Sequence, residues 1–461
     1  MRIETATSDQ ASPTAFAGRI SIAHWLDRLP LNGLHLAILA LCALGLAADI
    51  GEVALSNTFS ALLLAPPYHA SRAAVSLLLA AVFAGGAVGA PLFGWWGDRR
   101  GRRAALQIAL ALLALGSLAV ALSPNIGAMT AFRFVSGLAL GGYPPLTAAY
   151  LSDVLPPSRR GPLMMLCAAV AFLGAPAMIL LIRWLTPLAP LSIEGWRWAL
   201  FLGAGISAIT ALLFFLVPES PRWLAATGRA SEAAKSCRRF AAAGRQAPPL
   251  IDETKFAPMH APRDGIKTFA VEPRQRRRIL LLGLLYALGP WATIGFPLLS
   301  AAVMIQKGFH LGDSLLFAGV SMFGPTLGIA AAAAFVDRIE RRLALALCAI
   351  VMAALGIAFA LGTGLTPLIL LGTGFNLASA VYSAVLGLYG AELFPTPLRA
   401  TATASAWGVG RVVSMLVPIL LLPLLGSQGP LAMFTVIAIA LLLSAALVLA
   451  GPSGLARQPV E

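Results

Sequence analysis

The chain has 461 residues, 59% of them hydrophobic and only 11% charged, with a formal charge of +14. A soluble domain of that length could not cover so much apolar surface with so few charges, so much of the chain must face something other than water. The basic excess argues against nucleic acid as a partner, because it is confined to loops on one side of a series of apolar segments rather than forming a patch.

In chain order, residues 1–33 are largely polar, carry Asp27 and Arg28, and show no cleavable signal pattern, so the first apolar helix serves as its own insertion signal. Apolar segments long enough for membrane-crossing helices follow near 34–58, 71–92, 104–122, 128–151, 162–184 and 196–217. A polar stretch over 218–278 contains an amphipathic helix near Ala225–Ala243, and six more segments follow near 279–303, 313–335, 344–362, 367–390, 402–424 and 429–450. The tail is 451–461. This is an all-α membrane protein of twelve helices in two six-helix bundles, 34–217 and 279–450, since helices satisfy every backbone group within one segment. The alternating short strands of a membrane β-barrel are absent.

Arg99, Arg100, Arg102, Arg103, Arg159, Arg160, Arg338, Arg341 and Arg342 fall in three of the short connections, whereas those near 123–127, 363–366 and 425–428 carry no Lys or Arg. The positive-inside rule then places both termini and the central loop in the cytoplasm of a bacterium, with the chain in its inner membrane. Cys42, Cys167, Cys237 and Cys348 have neither metal-ligand nor disulfide spacing, and the five histidines are scattered. No enzyme chemistry, cofactor or metal is expected.

Ionisable groups inside spans are costly and usually functional. Asp49 and Glu52 lie in the first span, Arg133 in the fourth and Arg411 in the eleventh. Asp49 sits roughly 22 Å above the cytoplasmic end at the helical rise per residue, a depth similar to that of Arg133. A carboxylate and a guanidinium at one depth can pair, and Asp49 is the expected proton-coupling group, tuned by Arg133 or Glu52. The alternative is that both acids face outer water. Arg411, near the midplane, is a candidate for a substrate carboxylate, the alternative being a permanent salt bridge to Asp49 or Glu52. Trp291, Tyr286, Tyr382 and Trp407 lie at a similar depth, and Asn376 is one of very few amides in the spans.

A repeat organises the whole. Asp98, Arg99, Arg102 and Arg103 each recur 239 positions later as Asp337, Arg338, Arg341 and Arg342. The same offset links Tyr143 to Tyr382, Tyr150 to Tyr389, Pro156 to Pro395 and Arg160 to Arg399, and it places Glu392 opposite Asp153. Two halves in the same orientation explain this.

The stretch Gly94-Trp95-Trp96-Gly97-Asp98-Arg99-Arg100-Gly101-Arg102-Arg103 resembles the signature loop of the major facilitator superfamily. Asp153-Val154-Leu155-Pro156 with Arg160-Gly161 resembles a second motif of that superfamily, and Pro218-Glu219-Ser220-Pro221-Arg222-Trp223-Leu224 resembles the element after the sixth helix in its sugar-porter-like branch. Asp153, Glu340 and Ala400 depart from the usual residues. The resemblance implies alternating access by a monomer, with a cytoplasmic gate of Gly94, Asp98, Arg99, Gly101, Arg102, Arg103, Asp153, Arg160, Glu219, Arg222, Asp337, Arg341, Glu392 and Arg399; alternatively these arginines only set topology.

The glutamine pair that sugar porters carry in the seventh helix is missing from Leu281 to Ser300. Asp49-Ile50-Gly51-Glu52 is instead similar to the acidic element of aromatic-acid:proton symporters, and Arg411 in its glycine-rich setting is similar to the arginine of that group and of niacin-type transporters. The resemblance implies proton-coupled uptake of a small organic anion, such as an aromatic or heteroaromatic carboxylate. A proton-driven exporter, a sugar-type porter and a non-transporting membrane sensor are the alternatives.

Overall fold

A computed structural model of the protein describes residues 22, 24–66, 68–188, 190–248, 273–335, 339–394 and 396–452. Among these it has no strand, and its long helices make twelve spans. The first four are Gly33–Leu62, Arg72–Arg100, Arg102–Ala121 and Ile126–Val154. The fifth comprises Pro157–Phe172 and Gly174–Leu185, and the sixth is Gly195–Leu213. Two short helices, Pro221–Ala226 and Ala230–Gly244, follow in the central segment. The seventh span comprises Pro273–Thr293 and Gly295–Gln306, and the eighth Leu311–Ser321 and Phe323–Phe335. The ninth is Arg341–Leu361, the tenth Leu365–Glu392, and Thr396–Ala450 holds the last two.

Proline chemistry sets the interruptions. A proline has no N–H for the carbonyl four residues back. Pro176, Pro297 and Pro325 therefore orphan the carbonyls of Phe172, Thr293 and Ser321, and each helix breaks at the next residue. Spans eleven and twelve separate at Gly429, whose φ of +84° costs a residue without a Cβ little. Pro430 then opens the last span, where a missing N–H is harmless.

Glycine determines how the spans pack. A Cβ on Gly85 would lie 2.2 Å from the Phe134 carbonyl oxygen, and one on Gly89 1.9 Å from that of Leu138. Gly137 and Gly141 meet Val82 and Gly86 in return, so spans two and four touch backbone to backbone. The offset of 239 carries Gly85 and Gly89 to Gly324 and Gly328, which meet Thr373 and Leu377 across spans eight and ten. The duplication is thus present in helix packing as well as in the charged loops.

The two halves are joined near mid-height, where Thr326 Oγ1 donates to the Ala169 carbonyl at 3.4 Å, and at the end of the molecule away from the basic loops. At that end Asn57 Oδ1 accepts from the Ala301 N–H at 3.3 Å, and Arg183 Nε donates to the Gly312 carbonyl at 3.0 Å. Among the described residues, no hydrogen bond or ion pair joins the halves at the basic end.

Candidate functional site

Inside the N-terminal half, Arg133 is fully buried and Glu52 is 3% exposed. Arg133 Nη1 lies 2.8 Å from Glu52 Oε1 and also donates to the Glu52 carbonyl at 3.1 Å. Its Nη2 donates to Ser56 Oγ, one helical turn further on. Ser117 Oγ donates to Glu52 Oε2 at 2.8 Å, and the ring of Phe59 lies under the guanidinium at 5.7 Å. The pair is closed: both carboxylate oxygens and both terminal nitrogens have partners. The depth argument anticipated a partner for Arg133 on the first span, and the structure assigns that place to Glu52 rather than Asp49.

Asp49, one turn earlier, is equally buried at 4% exposure, and its Oδ1 has no hydrogen-bond partner. The cation whose field it feels is Arg411 across the seam between halves, with Glu52 acting against it as a like charge. No nitrogen of Arg411 comes within 4.0 Å of Asp49, so the two attract without an ion pair. Arg411 lies over the ring of Trp407 on its own helix, 4.2 Å from its centroid, and makes no hydrogen bond with a described residue. Gly410 brings the eleventh span against Tyr286 of the seventh, where an added Cβ would stand 3.2 Å from the Tyr286 carbonyl. Asp49, Arg411, Trp407 and Tyr286 therefore share one region at mid-depth.

The remaining predicted binding residues have different surroundings. Tyr382 Oη bonds Ser444 Oγ at 2.7 Å, and Asn376 Nδ2 donates to the Ser321 carbonyl at 3.2 Å, both buried within the C-terminal half. Trp291 is half-buried and packs on the core.

At the basic end, Glu219 organises the N-terminal half. Its two oxygens accept from the Arg103 N–H at 3.0 and 3.1 Å, and Arg103 Nη1 caps the Val217 carbonyl at 3.1 Å. Arg102 pairs with Asp98, and its Nε lies 3.9 Å from Asp153. Asp153 accepts from Ser220 Oγ at 3.0 Å, Trp223 Nε1 donates to the Asp98 carbonyl at 2.9 Å, and Arg222 pairs with Asp27. Gly101 adopts φ +108°, and Glu219 fills the space where its Cβ would stand. Gly94 meets nothing there, Arg99 stacks on Trp95 at 4.4 Å, and Arg160 donates to the Leu155 carbonyl at 3.1 Å. In the other half Arg341 pairs with Glu392 at 3.1 Å. Asp337 and the side chain of Arg399 lie outside the described residues. Every ion pair described at this end stays within one half.

A known family profile, "Sugar (and other) transporter", matches residues 37–451. The chain belongs to that family. Its relatives include the arabinose-proton symporter of Bacillus subtilis, 28% identical over 77% of this chain and 79% of that one. The gallate transporter of Pseudomonas putida is likewise 28% identical, covering 85% and 86%. The inward-open structure of the xylose transporter XylE from Escherichia coli superposes with a TM-score of 0.73 at 18% identity, over 92% of this chain and 98% of that one. The protein is a major facilitator transporter of the sugar-porter branch, with the twelve-helix fold expected of it.

Sequence reading missed several parts of this transporter. Ser56 and Ser117 complete the Glu52–Arg133 network, and single serines in apolar spans carry no distinguishing signal. Tyr143 places its hydroxyl against Gly45, where a Cβ would be 1.9 Å away. At the far end Tyr68 donates to Glu194, Trp196 Nε1 donates to Tyr68 at 3.0 Å, and Arg197 bonds Glu194 at 2.5 Å and the Ala121 and Ser123 carbonyls. Phe296 stacks on Phe375 at 4.0 Å inside the C-terminal half, with Phe359 and Phe434 against it. The close packing of Gly85/Gly89 on Gly137/Gly141 was also missed, although the Gly-x-x-x-Gly spacing is a signal that could have shown it.

Proposed function

We propose that the protein takes up a small organic anion, an aromatic or heteroaromatic carboxylate, together with a proton, and that its basic end faces the cytoplasm. The observation that carries this reading is the unequal treatment of two guanidiniums within the spans, Arg133 buried and Arg411 half-buried. Arg133 forms an ion pair with Glu52 and bonds Ser56, whereas Arg411 has an aromatic ring beneath it and only the distant field of Asp49 opposite. A partly desolvated cation without close counter-charge is costly, and a substrate carboxylate forking onto it relieves that cost. Trp407 and Tyr286 give a planar ring apolar walls.

Coupling follows from the same arrangement. An anion seated on Arg411 competes with Asp49 for one positive charge, so its arrival makes the protonated form of Asp49 the lower in energy. Anion and proton then travel through the conformational change together, and the empty carrier returns with Asp49 facing Arg411 alone. Closed at its far end and unlatched at the basic end, this conformation would be the one that releases cargo inward. The relative named a gallate transporter supports the anion class.

The test is uptake of radiolabelled hydroxybenzoates into proteoliposomes under an imposed pH gradient. Asp49→Asn should abolish accumulation while preserving exchange of labelled for unlabelled acid. Accumulation that survives this substitution removes Asp49 from coupling. The family name and the relative named an arabinose-proton symporter favour a sugar as the second reading. Arabinose competing with the acids at equal concentration would decide for it.

A further inference from the structure

The C-terminal half leaves a groove of about 340 Å³ at its basic end, between the start of the seventh span and the end of the twelfth. Arg277, Arg278, Leu281 and Leu447 line it, with the backbone of 450–452. Its surroundings repeat those of the N-terminal half. There Arg103 caps the Val217 carbonyl and Tyr150 Oη donates to that of Pro218 at 2.5 Å. Here Arg342 caps Gly451 at 3.0 Å and Tyr389 caps Pro452 at 2.9 Å. In the N-terminal half the chain then turns back and covers its own end: Phe240 of Ala230–Gly244 lies on His35 with ring centroids 5.1 Å apart, and Asn32 Nδ2 bonds the Phe240 carbonyl at 3.1 Å. Among the described residues nothing covers the equivalent place in the C-terminal half.

Among the described residues, part of the charge there is uncompensated. Arg276 and Arg277 are exposed and make no hydrogen bond or ion pair with a described residue. Glu340 and Glu392 pair with Arg342 and Arg341. Arg278 spends one nitrogen on the Leu393 carbonyl at 2.8 Å, which fixes its direction. The carbonyls of Gly451 and Pro452, which would repel an anion, are already engaged. Below the arginines the wall turns apolar: Leu284 continues the face of Arg277 and Leu281, and Leu443 continues that of Leu447, both exposed at the lipid level.

We propose that this groove binds an anionic glycerophospholipid from the leaflet at the basic end. Its phosphate lies on Arg277 and Arg278, and an acyl chain runs along Leu281, Leu284, Leu443 and Leu447. A soluble phosphate would use the arginines but leave the leucine wall bare, whereas a lipid uses both halves of the lining.

The test titrates the purified full-length protein in detergent with dioctanoyl phosphatidylglycerol, dioctanoyl phosphatidylcholine and inorganic phosphate, reading Tm. Phosphatidylglycerol should raise Tm saturably and the other two should not. Arg277→Gln, at an exposed site the fold does not need, should weaken the response about fivefold. Leu447→Trp fills the groove with all charges intact and should weaken it comparably. Arg238→Gln, an exposed arginine of the other half, should leave it unchanged. Equal responses from the wild type and both groove variants would overturn the proposal, as would an equal response to phosphate or phosphatidylcholine. Binding that appears only after deletion of residues 453–461 would assign the groove to the chain's own tail.

Discussion

The two halves share a scaffold and differ in what they place inside it. The offset of 239 preserves the loop arginines, the span-two glycines Gly85 and Gly89 as Gly324 and Gly328 of span eight, and the Arg and Tyr caps on the carbonyls that follow spans six and twelve. It does not preserve the interior. Glu52 and Arg133 correspond to Trp291 and Gly372, so a buried ion pair in one half is replaced by an aromatic ring and a gap-filling contact with Phe317 in the other. Parts that recur are those any rocking pair of bundles requires. On the function proposed above, parts that diverge are those that touch cargo or protons, and Arg411, half-buried and without an ion pair to a described residue, lies in the half that lost the pair.

Breaking the closed pair should give the largest effect. Arg133→Ala leaves the Glu52 carboxylate buried and unmatched, at a cost of about 3–5 kcal/mol. A large fall in Tm of purified protein checks it, and joint replacement of Glu52 and Arg133 by Leu should recover most of the loss. An unchanged Tm would mean that Glu52 finds another partner and that the halves are more alike inside than argued above. Arg411 should behave the other way round. With no ion pair to break, Arg411→Lys should leave Tm nearly unchanged while weakening substrate binding by about 30-fold or more, because the forked contact is lost. Binding measured by isothermal calorimetry separates the two, and undiminished affinity would take Arg411 out of the binding site.

The sequence revealed the spans, the repeat and the motif loops because each is a local pattern: runs of apolar residues, arginine-rich connections, residues at one offset. It placed Asp49, Glu52 and Arg133 at comparable depth but not in azimuth. Asp49 and Glu52 are three residues apart, about 60° in azimuth, and which of them reaches the fourth span depends on how span one is rotated against it, a matter of tertiary contacts such as Gly45 against Tyr143. The far-end network of Tyr68, Glu194 and Arg197 was invisible for a similar reason, since it joins three separate connections that have no shared spacing. The sequence reading put a connection at 425–428, where the structure keeps the helix going until the break at Gly429; the Gly-Pro pair at 429–430 is the local signal for that break.

A smaller difference between halves lies in the loops. Gly101 holds φ +108° with Glu219 against it, whereas Glu340, at the same place in the repeat, has an ordinary φ of −59°. Gly101→Ala should therefore cost about 1–3 kcal/mol, through strain and displacement of Glu219. Glu340→Gly should cost only the loss of one exposed ion pair with Arg342, at most about 1 kcal/mol. Parallel thermal melts check both, and equal losses would show that the second loop is as tightly held as the first.

The smallest effect concerns pH at the far end, where the halves use opposite chemistry. In the N-terminal half, partial burial pushes the Glu194 carboxyl up, but its bonds to Arg197 and Tyr68 outweigh this and hold its pKa below the ordinary value. The same contact and burial push the Tyr68 hydroxyl up to about 12. A carboxylate held below its unfolded value contributes its stabilisation in full above that value and loses it as pH falls through the folded one. In the C-terminal half, Lys307 Nζ ties down the Ala360 and Gly362 carbonyls at 2.8 and 2.6 Å, and no carboxylate takes part. Acidification below about pH 4.5 should thus loosen only the N-terminal far end, by about 0.5 kcal/mol or less since the Glu194 side chain is 41% exposed. Glu194→Gln should flatten the small decline of Tm between pH 5 and 3. If that decline kept its slope in the variant, the acid sensitivity would belong to another carboxylate, and the two far ends would not differ in the way their bonds imply.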